Sequence, residues 1–474
     1  MRATRRQAIK TLAGAGAAAG IGVFDPAAAH AAQDPAAGTS GARRVIERDV
    51  VVIGGGSAGT YTAVRLTDLG KSVVVVEHKG RLGGHCETYT DPATGLTTDI
   101  GVVVFHDLPV VRDYFSRFGV DLTVGSAGGG STPAFADFRT GEVVAGWTPP
   151  DPTAALQAYY GILQKYPYLA GTYDLPNPVP AELLTPWGEF AAANGLGGLM
   201  TILSDYAQGF AHLLRMPTVY ILKYFGLSVV GSLFTGDFLS TPNHDNSALY
   251  EAATAFLGED VLLETNVLSG TRGPGGVEFA AVGPHGPVTI RAEKAVITVP
   301  PMPALLAPFD PSPSELALFS RFRQGNYCTG LIRLPGAPDS TAVQNIGADT
   351  LYNLPPLPAL YAVTPSSVPG LFDLKFGSDV PLSDVQVHSV IQESLGRLQA
   401  AGTIPATTPV FVDYSNHSPY ELTVSAADVA GGFYSRLYGL QGRRNTFWNG
   451  AAFAGHDSSL IWQYAESLLP QIAE

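Results

Sequence analysis

Gly54, Gly56 and Gly59 stand at the spacing G-x-G-x-x-G, and Glu77 follows 18 residues after the third. Glycines at that spacing let backbone N–H groups close on a pyrophosphate, and a carboxylate about that far on holds ribose hydroxyls. The elements needed to position them are legible on either side. Asp49-Val50-Val51-Val52-Ile53 has the unbroken apolar, β-branched character of a strand buried on both faces. Gly54 makes the tight turn, Gly56 admits the ligand, and Gly59 lets the helix opened by Ser57 and Ala58 pack close to the sheet. Gly59, Ala63 and Leu66 share one face of that helix, Gly70 stops it, and Ser72 to Val76 forms a second strand delivering Glu77. The stretch predicts a dinucleotide site, and Glu77 argues against a 2′-phosphate and so against NADP. The glycines from Gly14 to Gly20 have no strand before them and predict nothing similar.

The first 31 residues read as a targeting segment. Thr4-Arg5-Arg6-Gln7-Ala8-Ile9-Lys10 resembles a twin-arginine signal, Thr11 to Val23 is weakly apolar, and Ala29-His30-Ala31 offers a small-residue cleavage site. Export of a folded, cofactor-loaded protein is the expectation. The formal charge is −13, and removing this segment, with four cations against one aspartate, takes it to −16. So acidic a chain, without a basic run, excludes a nucleic-acid partner. No segment after the signal has the run of about 18 apolar residues that a membrane span needs. Cys86 and Cys328 have no metal-ligand spacing; they form one bridge or remain two free buried thiols. No H-E-x-x-H, G-x-S-x-G or paired-carboxylate frame is present, so neither a metal site nor a hydrolytic nucleophile is expected. At 474 residues, 46% hydrophobic, the chain is large enough for more than one domain.

Beyond the first unit, Asp99 to Phe105 reads as a buried strand or a close-packed turn. Glycine-rich Gly125 to Gly130 and proline-rich Pro149 to Pro180 break the pattern, and helical material follows to Gly226. Val261-Leu262-Leu263, Val277 to Ala280, Val288 to Ile290 and Ala295 to Val299 read as short strands of a meander. Val410 to Tyr414 is a later strand, and the chain closes with a strand and an amphipathic helix. A nucleotide domain interrupted twice by a second domain, aromatic and poor in charge, accounts for this order.

At Glu77-His78-Lys79-Gly80-Arg81-Leu82-Gly83-Gly84-His85 the chain resembles the flavin amine oxidase superfamily, in which the acid is followed by a basic residue and then by Gly-Gly with another. Gly439-Leu440-Gln441-Gly442-Arg443-Arg444-Asn445-Thr446-Phe447-Trp448-Asn449-Gly450, together with Tyr220 to Phe225 and the closing helix around Tyr464, is similar to FAD-dependent polyunsaturated fatty acid double-bond isomerases. Oxidoreductases of the β-cyclopiazonate dehydrogenase type belong to the same wider group. The resemblance implies FAD as cofactor. It implies an α/β fold in which a Rossmann-like FAD-binding domain of the glutathione-reductase type carries an inserted α+β substrate domain. The implied organisation is a signal at 1–31, a linker at 32–46, an FAD-binding domain at 47–124, 245–300 and 408–474, and a substrate domain at 125–244 and 301–407. By the same resemblance Glu77 holds the ribose, Lys79 lies near the nucleotide, Gly84 and His85 approach the pyrophosphate and flavin, and Val267 brackets the adenine. Gly101, Val102, Val103, Gly450, Ser459 and Leu460 complete the cofactor-binding set with the glycine loop, and Asp457 or Ser458 caps a helix under the flavin pyrimidine. Two superfamily features have no counterpart: no lysine occurs between Lys294 and Lys375, and the cysteine that tethers FAD in some amine oxidases is missing. Leu122 to Phe138, where an isomerase would hold a carboxylate, contains neither Lys nor Arg.

The chemistry so implied is hydride transfer between flavin N5 and a small apolar substrate, fatty-acid-like in the isomerase reading; the alternative is oxidation of an amine or dehydrogenation of a small metabolite. His417, Tyr420 and His106 are the candidate catalytic residues. Phe105, Tyr224, Phe225 and Trp448 are the candidate walls of the substrate pocket.

Overall fold

The computed structural model describes residues 44–125 and 132–474. The signal expected at 1–31, the linker up to residue 43 and most of the glycine-rich break lie outside the described residues.

Two large sheets organise the chain. In the first, the strands run in the order Asn266–Gly273, Gly276–Gly283, Gly286–Ile297, Arg44–Ile53, Val73–Val76, Val261–Leu262, with Thr446–Trp448 also pairing Gly286–Ile297. Arg44–Ile53 is parallel to both its neighbours, and Val50 to Ile53 are 0–3% exposed, the double burial that its apolar run predicts. The first helix, Ser57–Asp68, and the last, Ser458–Ala473, pack together, with Tyr61 stacked on Trp462 at 5.6 Å. The meander differs from expectation in one respect. Val288–Ile290 and Ala295–Ile297 belong to one strand, Gly286–Ile297, because Arg291 and Glu293 alternate outward between them instead of turning, and that strand ends before Thr298 and Val299. It pairs parallel with Arg44–Ile53 from Val288 to Ile297; on its other edge the first half pairs antiparallel with Gly276–Gly283 and the last residues parallel with Thr446–Trp448.

The segment Asp99 to Phe105 is a close-packed turn after the short strand Thr97–Asp99. A Cβ on Gly101 would lie 1.8 Å from the carbonyl oxygen of His85, so only glycine permits that approach.

The second sheet has the order Val410–Asn416, Arg323–Arg333, Leu371–Ser378, Ala359–Pro365, Val343–Asn345, Ala134–Asp137, Glu142–Val143, and Tyr420–Thr423 pairs the far end of Arg323–Arg333. Val410–Asn416, expected with the nucleotide domain from residue 408, is instead an edge of this second sheet, with Thr329 opposite Ser415. An alternating strand announces its faces but not its partner. One face carries Cys328, Ile332, Leu374 and Phe376, which pack with Val387, Ile391, Leu395 and Leu398 of the helix Asp384–Ala400. The opposite face, with Tyr327, Thr329 and Leu331, Lys375 and Asp373, and Ser415 and His417, looks toward the nucleotide-binding loops. Cys86 and Cys328 are free and buried. Among the described residues no single helix is long and apolar enough to cross a membrane; the pair Thr218–Tyr224 and Leu227–Thr235 meets that test only jointly, across a 47° bend.

Candidate functional site

The glycine loop is built as its spacing demands. A Cβ on Gly59 would sit 1.8 Å from Gly54 O, and one on Gly84 would sit 2.8 Å from Gly56 Cα. A Cβ on Gly56 would meet only Gly84, at 3.8 Å, so that side of the loop stands open to a ligand. The helix Ser57–Asp68 begins there with no side-chain cap and no acid in its first turn. Its first N–H groups therefore lack intrahelical acceptors, the arrangement that receives a pyrophosphate.

Glu77 lies beside this loop and is 4% exposed. Burial alone would raise its pKa, but His78 at 2.9 Å and the N–H groups of Lys79 at 2.7 Å and Gly55 at 2.6 Å prevail and hold it below the ordinary value. The carboxylate is thus ionised and aimed before any ribose arrives. Thr265 N donates to Glu77 O, which brings the strand bearing Val267 beside it.

A second helix start closes the other side. Asp457 caps Ser458–Ala473 by accepting from Leu460 N at 3.0 Å, as one of the two expected caps. The Leu460 N–H is thereby used by the cap, while those of Ser458 and Ser459 precede the first intrahelical bond. Ser57 Oγ and Ser458 Oγ meet at 3.0 Å, so the two helix starts converge on one place. Asn246 Nδ2 fixes the loop between them by donating to Val102 O and Val103 O. Gly450 adopts φ +125° and donates its N–H to Asn449 Oδ1. One uncapped helix start, a second that keeps the N–H groups of Ser458 and Ser459 free of intrahelical bonds, an oriented acid and an open glycine loop fit a dinucleotide that carries a flavin.

Between the loops and the second sheet lies a chamber walled by rings. His85 stands 4.7 Å from His417 and nearly parallel to His456 at 5.7 Å; Tyr420 lies 3.9 Å from His456 and 5.0 Å from Tyr327, between ring centres. His85, His456, Tyr420, Tyr224 and Tyr327 keep some accessible surface. Yet desolvation drives the two imidazoles well below their ordinary pKa and the three phenols above theirs. Accessible area with so strong a desolvation means that the area faces an enclosed space, not bulk water. His417 is 2% exposed, bonds Thr329 Oγ1 through Nε2 at 3.0 Å, and leaves Nδ1 without a partner. Burial, reinforced by the Lys79 ammonium, lowers its pKa to about 3.

The sequence candidates divide here. His417, Tyr420, Tyr224 and His85 meet at the chamber. His106 stands apart, with Nε2 3.3 Å from Asp457 at the helix cap and its own N–H on Ser459 Oγ at 3.2 Å. Three expected pocket walls are core instead. Phe105 stacks on Trp462 and meets Phe115 edge-on, and Phe225 packs on Tyr159 and Tyr206. Trp448 lies between Phe319 and the guanidinium of Arg272, which is itself paired with Glu315 at 2.7 Å. All three are 0% exposed, since packing claims most large aromatics without any ligand.

Other residues enter unannounced. His456 precedes the Asp457 cap, the only signal by which it could have been found. Glu421 adopts φ +45°, is buried, leaves Oε1 without a partner, and is pushed by burial to about 8. Lys223 is 1% exposed and donates to Gly171 O at 3.0 Å; burial lowers its pKa to about 8, partly opposed by Asp457.

Residues 52–118 match the family described as an NAD(P)-binding Rossmann-like domain. The chain is similar to the FAD-dependent oxidoreductase oblC of Cochliobolus heterostrophus, 39% identical over 443 residues, covering 90% of this chain and 92% of that one. It is 34% identical over 440 residues to β-cyclopiazonate dehydrogenase of Aspergillus oryzae, covering 91% and 94%. Among solved structures, a fatty acid isomerase from P. acnes that produces CLA superposes with a TM-score of 0.72 at 20% identity, over 90% of this chain and 98% of that one. Putrescine oxidase with bound putrescine gives 0.60 at 14%, over 90% and 98%. These two likenesses are of fold.

Proposed function

The chain belongs to the FAD-dependent oxidoreductases, and from that premise we propose that it takes a hydride from one C–H bond of a small apolar substrate held in the ring-walled chamber. The observation that carries this reading is the desolvation of His85, His417, Tyr420, Tyr224 and Tyr327 around one enclosed space.

FAD, when bound, supplies a two-electron acceptor at N5. The protein's part is to hold that cofactor, exclude water and orient one C–H bond. Gly54, Gly56, Ser57, Ala58 and Gly59 receive the pyrophosphate, Glu77 the ribose, and Ser458 with Ser459 the flavin pyrimidine. Tyr420 and Tyr224, kept protonated by burial, wall the substrate. His417, kept neutral by burial and bonded to Thr329, lines the chamber beside His85 and positions the substrate. His106 positions the Asp457 cap.

Relatives at 34–39% identity are named as oxidoreductases or dehydrogenases, which supports net oxidation over isomerisation. Isomerisation would return the hydride to another carbon. The Arg5-Arg6 segment supports export of the loaded protein.

Anaerobic mixing of the holoprotein with linoleate, β-cyclopiazonate and a panel of amines tests the reading. Lasting flavin bleaching, stoichiometric with one of them and reversed by oxygen, is expected. A conjugated-diene band with the flavin returned to its oxidised spectrum would establish isomerisation instead. His417→Ala, which removes a wall that orients the substrate, is expected to slow bleaching up to about 100-fold while keeping its flavin; an unchanged rate would remove His417 from the site.

A further inference from the structure

One register row crosses the second sheet as Gln344, Ala362, Lys375, Thr329, Ser415. Residues directly opposed in antiparallel strands project to the same face, with Cβ atoms about 4.5–5.5 Å apart. Three contacts identify that face. Thr329 Oγ1 meets His417 Nε2 at 3.0 Å, Ser415 Oγ donates to Glu87 at 2.5 Å, and Gln344 Nε2 donates to Asp205. Each polar neighbour in the row is therefore engaged by a group outside the sheet, on the chamber side. The alternate residues, Cys328, Leu374 and Phe376, fill the core behind.

Lys375 stands at the centre of this row, next to the threonine that holds His417. Unlike its neighbours, it makes no hydrogen bond and no ion pair among the described residues. Two carboxyls feel its charge without pairing with it. Asp373, on the same strand and face, is pushed by burial to about 7, and Asp205, at the end of the row, to about 6. Neither carboxyl forms a hydrogen bond or an ion pair with the Lys375 ammonium. Lys223, fully buried where Lys375 is half-buried, is already bonded to Gly171 O. A half-buried cation on a chamber wall recruits an anion, and among the described residues none stands at bonding distance.

We propose that Lys375 anchors an acidic head group of the substrate, a delocalised oxyanion such as a carboxylate or the enolate of a 1,3-dicarbonyl. This rests on the reading of the chamber as the substrate site. The sequence places no cation between Leu122 and Phe138, and the anchor comes instead from Leu371–Ser378, with one strand between it and the strand that leads to His417. Anchoring there sets the distance from the acidic group to the reacting carbon, so Lys375 determines specificity without taking part in hydride or proton transfer.

Calorimetric titration of the holoprotein with matched probes decides it: linoleate against methyl linoleate, and 2-acetyl-1,3-cyclohexanedione against its enol methyl ether. At least one acid is expected to bind 10-fold or more tighter than its neutral partner. Lys375→Met should abolish that preference and Lys375→Arg should restore it, with flavin content and melting temperature unchanged in both. Which pair shows the preference distinguishes a carboxylate from an enolate. Acids binding no better than their neutral partners, or a preference that survives in Lys375→Met, would overturn the proposal. Flavin absorbance, measured on the same samples, reports separately on the functional reading: a protein that cannot hold FAD fails there and not at Lys375.

Discussion

The nucleotide end and the ring-walled chamber sit side by side and are made by opposite means. At the nucleotide end the ligand-facing groups are backbone: the glycine loop, two helix starts, and a carboxylate aimed by backbone N–H groups. In the chamber they are side chains drawn from separate stretches, His85, Tyr224, Tyr327, His417, Tyr420 and His456. The two ends also treat acid groups oppositely. Glu77 receives three donors and stays ionised, whereas Glu421, with no donor to Oε1, is driven toward its neutral form. The lesson is one of hydrogen-bond supply: burial with donors keeps a charge, and burial without them removes it.

The sharpest way to break this contrast is at the loop. Gly59→Val would force a side chain into Gly54 O, and purified protein should carry no flavin, read by absorbance, while Ser57→Ala, which changes no backbone approach, keeps it. A flavin-loaded Gly59→Val would mean that the loop does not close on the helix as described.

Next in size is the pH response of Glu421. Its folded pKa of about 8 lies above the unfolded value, so the folded state holds more protons between about 4.5 and 8. Stability from this carboxyl is complete below that window and is lost as pH rises through 8. Glu421→Gln should therefore gain on the order of 3 kcal/mol over the parent at pH ~9 and little at pH ~4, by denaturant titration. Equal effects at both pH values would show that Glu421 is not held neutral.

The smallest effect is expected at Glu77, with the reverse sign. Its lowered pKa contributes stability that is present above the unfolded value and lost as pH falls through the folded one. Glu77→Gln replaces an acceptor with a donor facing Gly55 or Lys79, and should weaken FAD binding by about 1.5–3 kcal/mol, roughly 10- to 100-fold. Flavin retention during ultrafiltration measures it, and unchanged retention would leave Glu77 without a role at the ribose.

The candidate site was legible in proportion to how local it is. Gly54 to Gly59 and Glu77 belong to one strand–helix–strand unit, and their roles follow from spacing. Tyr224 and Phe225 are sequence neighbours of similar chemistry, yet one faces the chamber and the other the core. Phe105 and Trp448 were misplaced for the same reason: an aromatic side chain packs equally well against a ligand or against Trp462 and Phe319.

By itself the sequence determined the dinucleotide fold, because a glycine loop works through backbone conformation, which residue type governs over a few positions. It also determined the membership in a flavoprotein family, through motifs repeated in separate segments. Only the tertiary structure decided that Val410–Asn416 edges the second sheet, that Thr329 holds His417, and that Lys375 stands beside them without a partner. Strand pairing is a long-range choice among many compatible neighbours, and whether a buried group is charged depends on the donors that this choice brings to it.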